Sequence, residues 1–354
     1  MTRRALAALA LLAGLLLLLP CAPARAAMPG SLRFCDRDLK LSAAEEDRLF
    51  RFGAIVKAEL DRSGERVAIL SRSGLDLDRF GIRYSHAGLS LRESANAPWS
   101  VRQLYYACDE GRPRLFDQGI SGFLLGTEDP STGYLSVVFL PPSRAAQAEA
   151  AGLDNARALT MLAGTYSANA YAFARRYQNC NEWLIELLAN AWAANGGASP
   201  PARDEPGVAQ DDATAPDDPP IDPSLPPQDV RAEPRAASDT AVTPDDSRTP
   251  RAQAQAWLRA QGYRPSVVEA GWLTPLAAFI PYVHADDHPR AQLRRGRFVV
   301  SMPASIEGFV RETMPGASRL EFCHAGGRVV VHRGWDPIAP GCVPAPGDQV
   351  LSLE

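Results

Sequence analysis

Between Gly196 and Pro250 the chain turns rich in proline, aspartate and alanine and poor in aromatic residues, and this stretch bounds the fold. Such a composition cannot bury enough apolar surface to offset the entropy of ordering its backbone. It reads as a disordered, extended insertion that serves as a solvated spacer. The foldable material is therefore two blocks, 27–195 and 251–354, and the second is expected to fold back onto the first as one domain.

The first 26 residues read as a secretory signal. Arg3 and Arg4 supply the positive start, Ala5 to Leu19 an uncharged apolar run, and Ala24-Arg25-Ala26 the small-x-small pattern before a cut near Ala27. The run is shorter than the roughly 20 residues of a comfortable span, so cleavage is expected rather than a permanent anchor. Cys21 follows Leu19-Pro20, a poor context for lipidation. No later stretch is long and apolar enough to cross a membrane, so no transmembrane helix is expected after signal removal. The expected location is periplasmic or secreted, in a Gram-negative bacterium. A formal charge of -4 argues against a nucleic-acid partner, which favours a basic surface.

Of six cysteines, signal removal takes Cys21 and leaves Cys35, Cys108, Cys180, Cys323 and Cys342. In an oxidising compartment cysteines tend to pair, and an odd number leaves one over. Pairing Cys35 with Cys108 and Cys323 with Cys342 is the tidy arrangement, although spacing does not fix connectivity. It leaves Cys180, which is then either a reactive thiol or an inert core residue.

Apolar residues from Leu41 to Leu60 recur at helical spacing, and Ser42 with Glu45 fits a capping box. Strands are expected over 66–71, 82–91, 99–108, 113–120 and 134–140, and a helix over 144–164. Asn179 to Ala193 is the strongest helix, with Trp183, Leu184, Leu187, Leu188 and Ala191 on one face. Beyond the insertion come a helix ending near Gly262, a strand at 298–301 and a helix opened by Pro303. A hairpin over 320–332 turns at Ala325-Gly326-Gly327, and a last strand covers 349–353. Strands cluster rather than alternate with helices, which is the α+β pattern.

A cysteine becomes a nucleophile where its thiolate is favoured, and a helix N-terminus with a histidine nearby does that. Cys180 stands at such a start, with Asn179 as the expected cap. The free N–H groups there, with support from Asn179 or the Tyr84 hydroxyl, are candidates to hold an oxyanion. His86, the only histidine before Cys180, is the candidate general base. Asp117, with Gln118 as the alternative, is the candidate to orient its ring.

The segments Tyr84-Ser85-His86-Ala87-Gly88-Leu89 and Tyr177-Gln178-Asn179-Cys180-Asn181-Glu182-Trp183 resemble the two signatures of circularly permuted NlpC-type papain-fold proteins. That resemblance implies an antiparallel sheet packed against the cysteine-bearing helix. It also implies a thiolate attacking an amide or ester carbonyl, with a polar third residue on the strand after the histidine. Aspartate at 117 departs from the commoner third residue. Over nearly its whole mature length the chain also resembles an uncharacterised bacterial family, domain of unknown function 2145. Trp99 to Tyr106, Tyr166 to Tyr171 and Ser301 to Glu307 carry that likeness.

Other chemistries find little footing. His284, Asp286, Asp287 and His288 crowd between Pro281 and Pro289 without a clear third metal ligand, so no metal is expected. Ser301 lacks a nucleophile elbow, and no phosphate or dinucleotide fingerprint is present, so no cofactor is expected. The expected activity is that of an exported thiol hydrolase or acyltransferase, with cell-wall peptide or other peptide favoured over acyl substrates. The alternative is a catalytically silent binding or assembly module that keeps the fold.

Overall fold

A computed structural model describes residues 41–353 apart from 76, 108–109, 195–248 and 272–281. The predicted signal, Cys21, Cys35, Cys108, Trp272 and nearly all of the predicted insertion lie outside the described residues.

The first helix, α1 (Ala43–Arg62), starts as the sequence predicts. Ser42 Oγ accepts from the Glu45 N–H, and Glu45 reaches back to the Ser42 N–H at 2.8 Å. Leu49, Phe52, Val56 and Leu60 form its buried stripe. Then follow β1 (Val67–Arg72), β2 (His86–Leu91), β3 (Ser100–Ala107), β4 (Arg112–Gln118), α2 (Ile120–Leu125) and β5 (Thr132–Phe139). The expected helix over 144–164 is two helices, α3 (Pro142–Leu153) and α4 (Asn155–Thr160). Asp154 between them is extended, and its carboxylate caps α4 by accepting from the Arg157 N–H at 3.0 Å.

The cysteine helix is α5 (Cys180–Ala194). After it come α6 (Pro250–Ala260), β6 (Ser266–Glu269), α7 (Arg290–Arg294), β7 (Arg297–Val300), α8 (Pro303–Thr313), β8 (Ser318–Ala325), β9 (Arg328–Arg333) and β10 (Gln349–Ser352). Thr249 caps α6 and Pro250 already lies within it, so this helix begins at the last residues assigned to the insertion. The fold is α+β. Its main sheet runs β10-β9-β8-β5-β1-β2-β3-β4 with every pairing antiparallel, and β6 and β7 form a separate ribbon. The β8–β9 turn places Gly326 and Gly327 at φ 55° and 72°, a two-residue turn that asks for glycine at both positions. Strand β8 lies against β5 along its whole length, so residues beyond the insertion complete the sheet begun before it.

Strand residues alternate between two faces. Val67, Ile69, Ala87, Leu89, Leu91, Leu104 and Val138 pack beneath α3, α4, α5, α6 and α8. Ala68, Leu70, Val101, Leu135 and Val137 pack against α1 and α2. Helix α5 is buried around most of its circumference because it lies between the sheet and α6. Arg251, at the start of α6, meets Glu182 and Glu186 in the first turns of α5, and Trp257 sits 6.0 Å from Trp192 near its end. The two helices therefore run parallel. Among the described cysteines, Cys323 and Cys342 form a disulfide with Cα atoms 5.5 Å apart, one of the two expected pairs, and Cys180 is free and buried. No described helix is long and apolar enough to cross a membrane.

Candidate functional site

Asn179 caps α5 as expected: its Oδ1 accepts from the Glu182 N–H at 2.7 Å. Its Nδ2 turns to the Ala168 and Ser301 carbonyls, at 3.4 and 3.5 Å. Asn181 Nδ2 donates to the Ser85 carbonyl at 3.2 Å and ties the helix start to the entry of β2. The backbone N–H groups of Asn181, Cys180 and Ala87 lie near the Cys180 thiol. They favour a thiolate, as does the positive charge of Arg72, but burial outweighs them and pushes the thiol up to about 12. At neutral pH the group is a thiol.

His86 opens β2 opposite Arg72 on β1. Its ring stacks on Tyr105 at 4.6 Å and 21°, with Phe123 of α2 5.9 Å away. These neighbours place it on the α1–α2 face. The next residue, Ala87, turns to the other face and packs in the same core as Cys180. The alternation of β2 thus sets the imidazole and the thiol on opposite sides of the sheet. No hydrogen bond joins them. Burial first, then the nearby Arg72 charge, lower the His86 imidazole to about 3, against a smaller raising effect of Gln103.

The residue that meets His86 is Gln103, with Oε1 2.7 Å from Nε2. Gln103 Nε2 in turn donates to Gln118 Oε1 at 2.6 Å. Gln118 therefore stands one step behind the ring rather than against it. Asp117 does not orient the histidine. It pairs across the ladder with Arg102 on the α5 side, and its two oxygens accept from Arg102 Nε and Nη2 at 2.8 and 2.6 Å. One residue of parity separates it from the expected role. The signal that finds Gln103 is Gly88: a Cβ there would stand 2.5 Å from Val101 Cγ1 and 3.2 Å from Gln103 Cβ. A glycine two residues after the histidine lets β3 bring a long side chain to the ring.

Tyr84 is likewise committed elsewhere. Its hydroxyl donates to Glu321 and accepts from Arg319 Nη2 at 3.2 Å. Arg83, at 2.9 Å, the Ile338 N–H, at 2.7 Å, and Arg319 Nη1, at 3.2 Å, also donate to Glu321. Burial, then the Glu321 charge, keep the phenol protonated far above its ordinary value.

A second buried cluster holds α5 to α6. Arg251 Nε donates to Glu186 Oε2 at 2.7 Å and Nη2 to Glu182 Oε1 at 3.3 Å, while Gln178 and Gln255 donate to Glu186 at 2.6 and 2.7 Å. Burial raises both carboxyls, and Glu186 raises Glu182 further. In the 284–288 segment His284 stacks on Tyr177 at 4.5 Å, His288 Nε2 bonds the Asn169 carbonyl at 2.7 Å, and Asp287 accepts from the Tyr171 N–H. Each of these groups has a packing or backbone partner.

The sequence model of a family described as an uncharacterized protein conserved in bacteria (DUF2145) matches residues 59–212 and 234–310. These spans include Arg72, His86, Gln103, Cys180 and Arg251. No curated protein matches the chain, and no solved structure does.

Proposed function

Starting from a chain that belongs to this bacterial family (DUF2145), we propose that it is an exported binding or assembly module whose Cys180 is structural. One observation carries this reading: Cys180 and His86 lie on opposite faces of the sheet with no hydrogen bond between them. General-base activation of a thiol needs the two groups within hydrogen-bond reach. The titration of each group points the same way, since the thiol holds its proton to about 12 and the imidazole refuses one until about 3. The Cys323–Cys342 disulfide supports an oxidising compartment, in line with the signal-like N-terminus.

The test is iodoacetamide labelling of the native protein across pH, read at each cysteine by mass spectrometry. Slow labelling of Cys180 at pH 7, unchanged by His86→Ala, is the expected outcome. Fast labelling below pH 7 that His86→Ala slows would replace this reading with the second.

That second reading is a papain-like thiol hydrolase or acyltransferase acting on cell-wall peptide, another peptide or an acyl group. The place of Cys180 at the start of α5 favours it, because the nearby backbone N–H groups of Asn181, Cys180 and Ala87 favour a thiolate. It requires the β2 entry to rearrange until His86 faces α5.

A further inference from the structure

Between β9 and β10 the chain forms a strap, residues 336–347. Pro337, Pro340, Pro344 and Pro346 deprive it of backbone donors, so it cannot extend the sheet. Ile338 and Cys342 are buried, and every other residue of the strap is exposed. A segment with so few buried groups opens locally at little cost unless something ties it down. The tie is the disulfide from Cys342 to Cys323 on β8. Gly341 and Cys342 stand at φ 76° and 56°, a left-handed corner that cysteine rarely adopts, and the bond holds the strap in it.

Two strap N–H groups reach inward. Ile338 donates to Glu321 at 2.7 Å, and Gly341 donates to the Tyr134 hydroxyl at 3.1 Å. The same two side chains hold Arg83: Glu321 accepts from its Nη1 at 2.9 Å, and its guanidinium lies 4.4 Å from the Tyr134 ring centre. Tyr84 donates to Glu321 as well. Arg83 and Tyr84 lead into β2 through Ser85, whose carbonyl accepts from Asn181 at 3.2 Å beside Cys180. Contacts thus run unbroken from Cys342 to the start of α5. We propose that the Cys323–Cys342 disulfide is a redox latch, which holds the strap on Glu321 and Tyr134 and, when a dithiol reduces it, frees residues 83–86 at the entry of β2. A thiolate of the dithiol attacks the Cys342 sulfur, the S–S bond breaks, and Cys323 leaves as a thiolate that takes a proton. The second thiol of the reductant then displaces Cys342 from the mixed disulfide. Two electrons pass to the cysteine pair, and the dithiol ends as a disulfide. This latch goes beyond the binding reading, since it gives the module two states set by a redox partner.

The experiment follows hydrogen exchange in the full chain, oxidised and after dithiothreitol, while alkylation of a parallel sample shows which cysteines are reduced. With Cys323 and Cys342 reduced, exchange across 336–347 should quicken about tenfold. The Ser85 N–H, which donates to the Arg72 carbonyl at 3.1 Å in the latched protein, should exchange faster with it. Cys342→Ser opens the latch without reductant and leaves every other cysteine pair alone, so it should match the reduced wild type. Because that variant can fail to fold, the wild type reduced after folding supplies the same measurement. Ile338→Ala keeps the disulfide and should leave Ser85 exchange near that of wild type. A pair that resists dithiothreitol in the folded protein, a reduced strap with unchanged exchange, or an open strap with Ser85 unmoved overturns the proposal. So does an Ile338→Ala that opens as far as Cys342→Ser, since apolar packing would then be the latch. Such a failure is separable from failure of the binding reading, which shows as fast His86-dependent labelling of Cys180 in the oxidised protein.

Discussion

The His86 imidazole and the Gln103 carboxamide meet at 2.7 Å on the sheet face turned away from the cysteine helix. A carboxamide orients the ring without supplying charge, so this contact offsets only a smaller part of the effect of burial. His86 is expected to stay neutral throughout the physiological range, with ring NMR resonances flat between pH 8 and pH 5. Gln103→Glu places an anion against Nε2, and an opposite charge at that distance raises a pKa by about 1–3 units. An imidazole titration moving upward in that variant would be the expected result. An unchanged one would mean that Gln103 does not hold the ring in solution.

Stability should fall in acid through His86 and His324. Burial lowers His86 to about 3 and His324 to about 4, from an ordinary 6.5. Below pH 6.5 the unfolded chain takes up protons that the folded one refuses. The stabilisation from each group is complete above that value and is lost as pH falls toward the folded value, at about 1.4 kcal/mol per pH unit per histidine. Glu182, Glu186 and Glu307 act with the opposite sign, because burial raises them. The clean measurement is therefore a difference. Urea unfolding of wild type and His324→Asn between pH 6 and pH 4 should give curves that converge as pH falls.

The close approach of β2 and β3 yields a third prediction. Gly88→Ala would set a Cβ 3.0 Å from the Arg102 carbonyl and closer still to Val101. Overpacking of this kind costs about 1–3 kcal/mol. It also pushes Gln103 away from His86. Denaturant melts should show the loss of stability, and the His86 ring resonances should shift in the same variant.

Most of the fold was legible from the sequence because its signals are local. Ser42 and Glu45 announce α1, Gly326-Gly327 the hairpin, and Asn179 the start of α5. The site was legible only in its parts. A helix start with a cysteine and a strand with a histidine are visible in one dimension, but the face a strand residue takes depends on where the pleat begins. Ala87, rather than His86, turns toward α5, and Asp117 pairs with Arg102 by the same alternation. Arg72 gave no signal at all. An arginine ending an apolar strand looks solvated until α2 and the loop at Gly126 close over it. The division of 144–164 into two helices turned on Asp154, whose capping role competes with helix propagation.

The α5–α6 clasp supports the last prediction. Among the described residues, Arg251 is the one cation paired with two buried carboxyls four residues apart. Glu186 accepts from Arg251, Gln255 and Gln178 at 2.6–2.7 Å, whereas Glu182 Oε2 has no partner. Burial, then the Glu186 charge, raise Glu182 well above the carboxylate range. This division makes Glu182 the protonated member and Glu186 the ionised partner of Arg251. Glu182→Gln then replaces a neutral acid with a neutral amide of the same shape and should cost less than about 1 kcal/mol, near the net worth of one hydrogen bond. Glu186→Gln should cost more, because it strands Arg251. Arg251→Met leaves two buried carboxyls without their cation and should cost about 3–5 kcal/mol. That cost should be larger at pH 8 than at pH 5, where Glu186 can take a proton instead. Urea unfolding of the three variants at both pH values checks the order. If Glu182→Gln proved as damaging as Glu186→Gln, the assignment of the proton would be reversed.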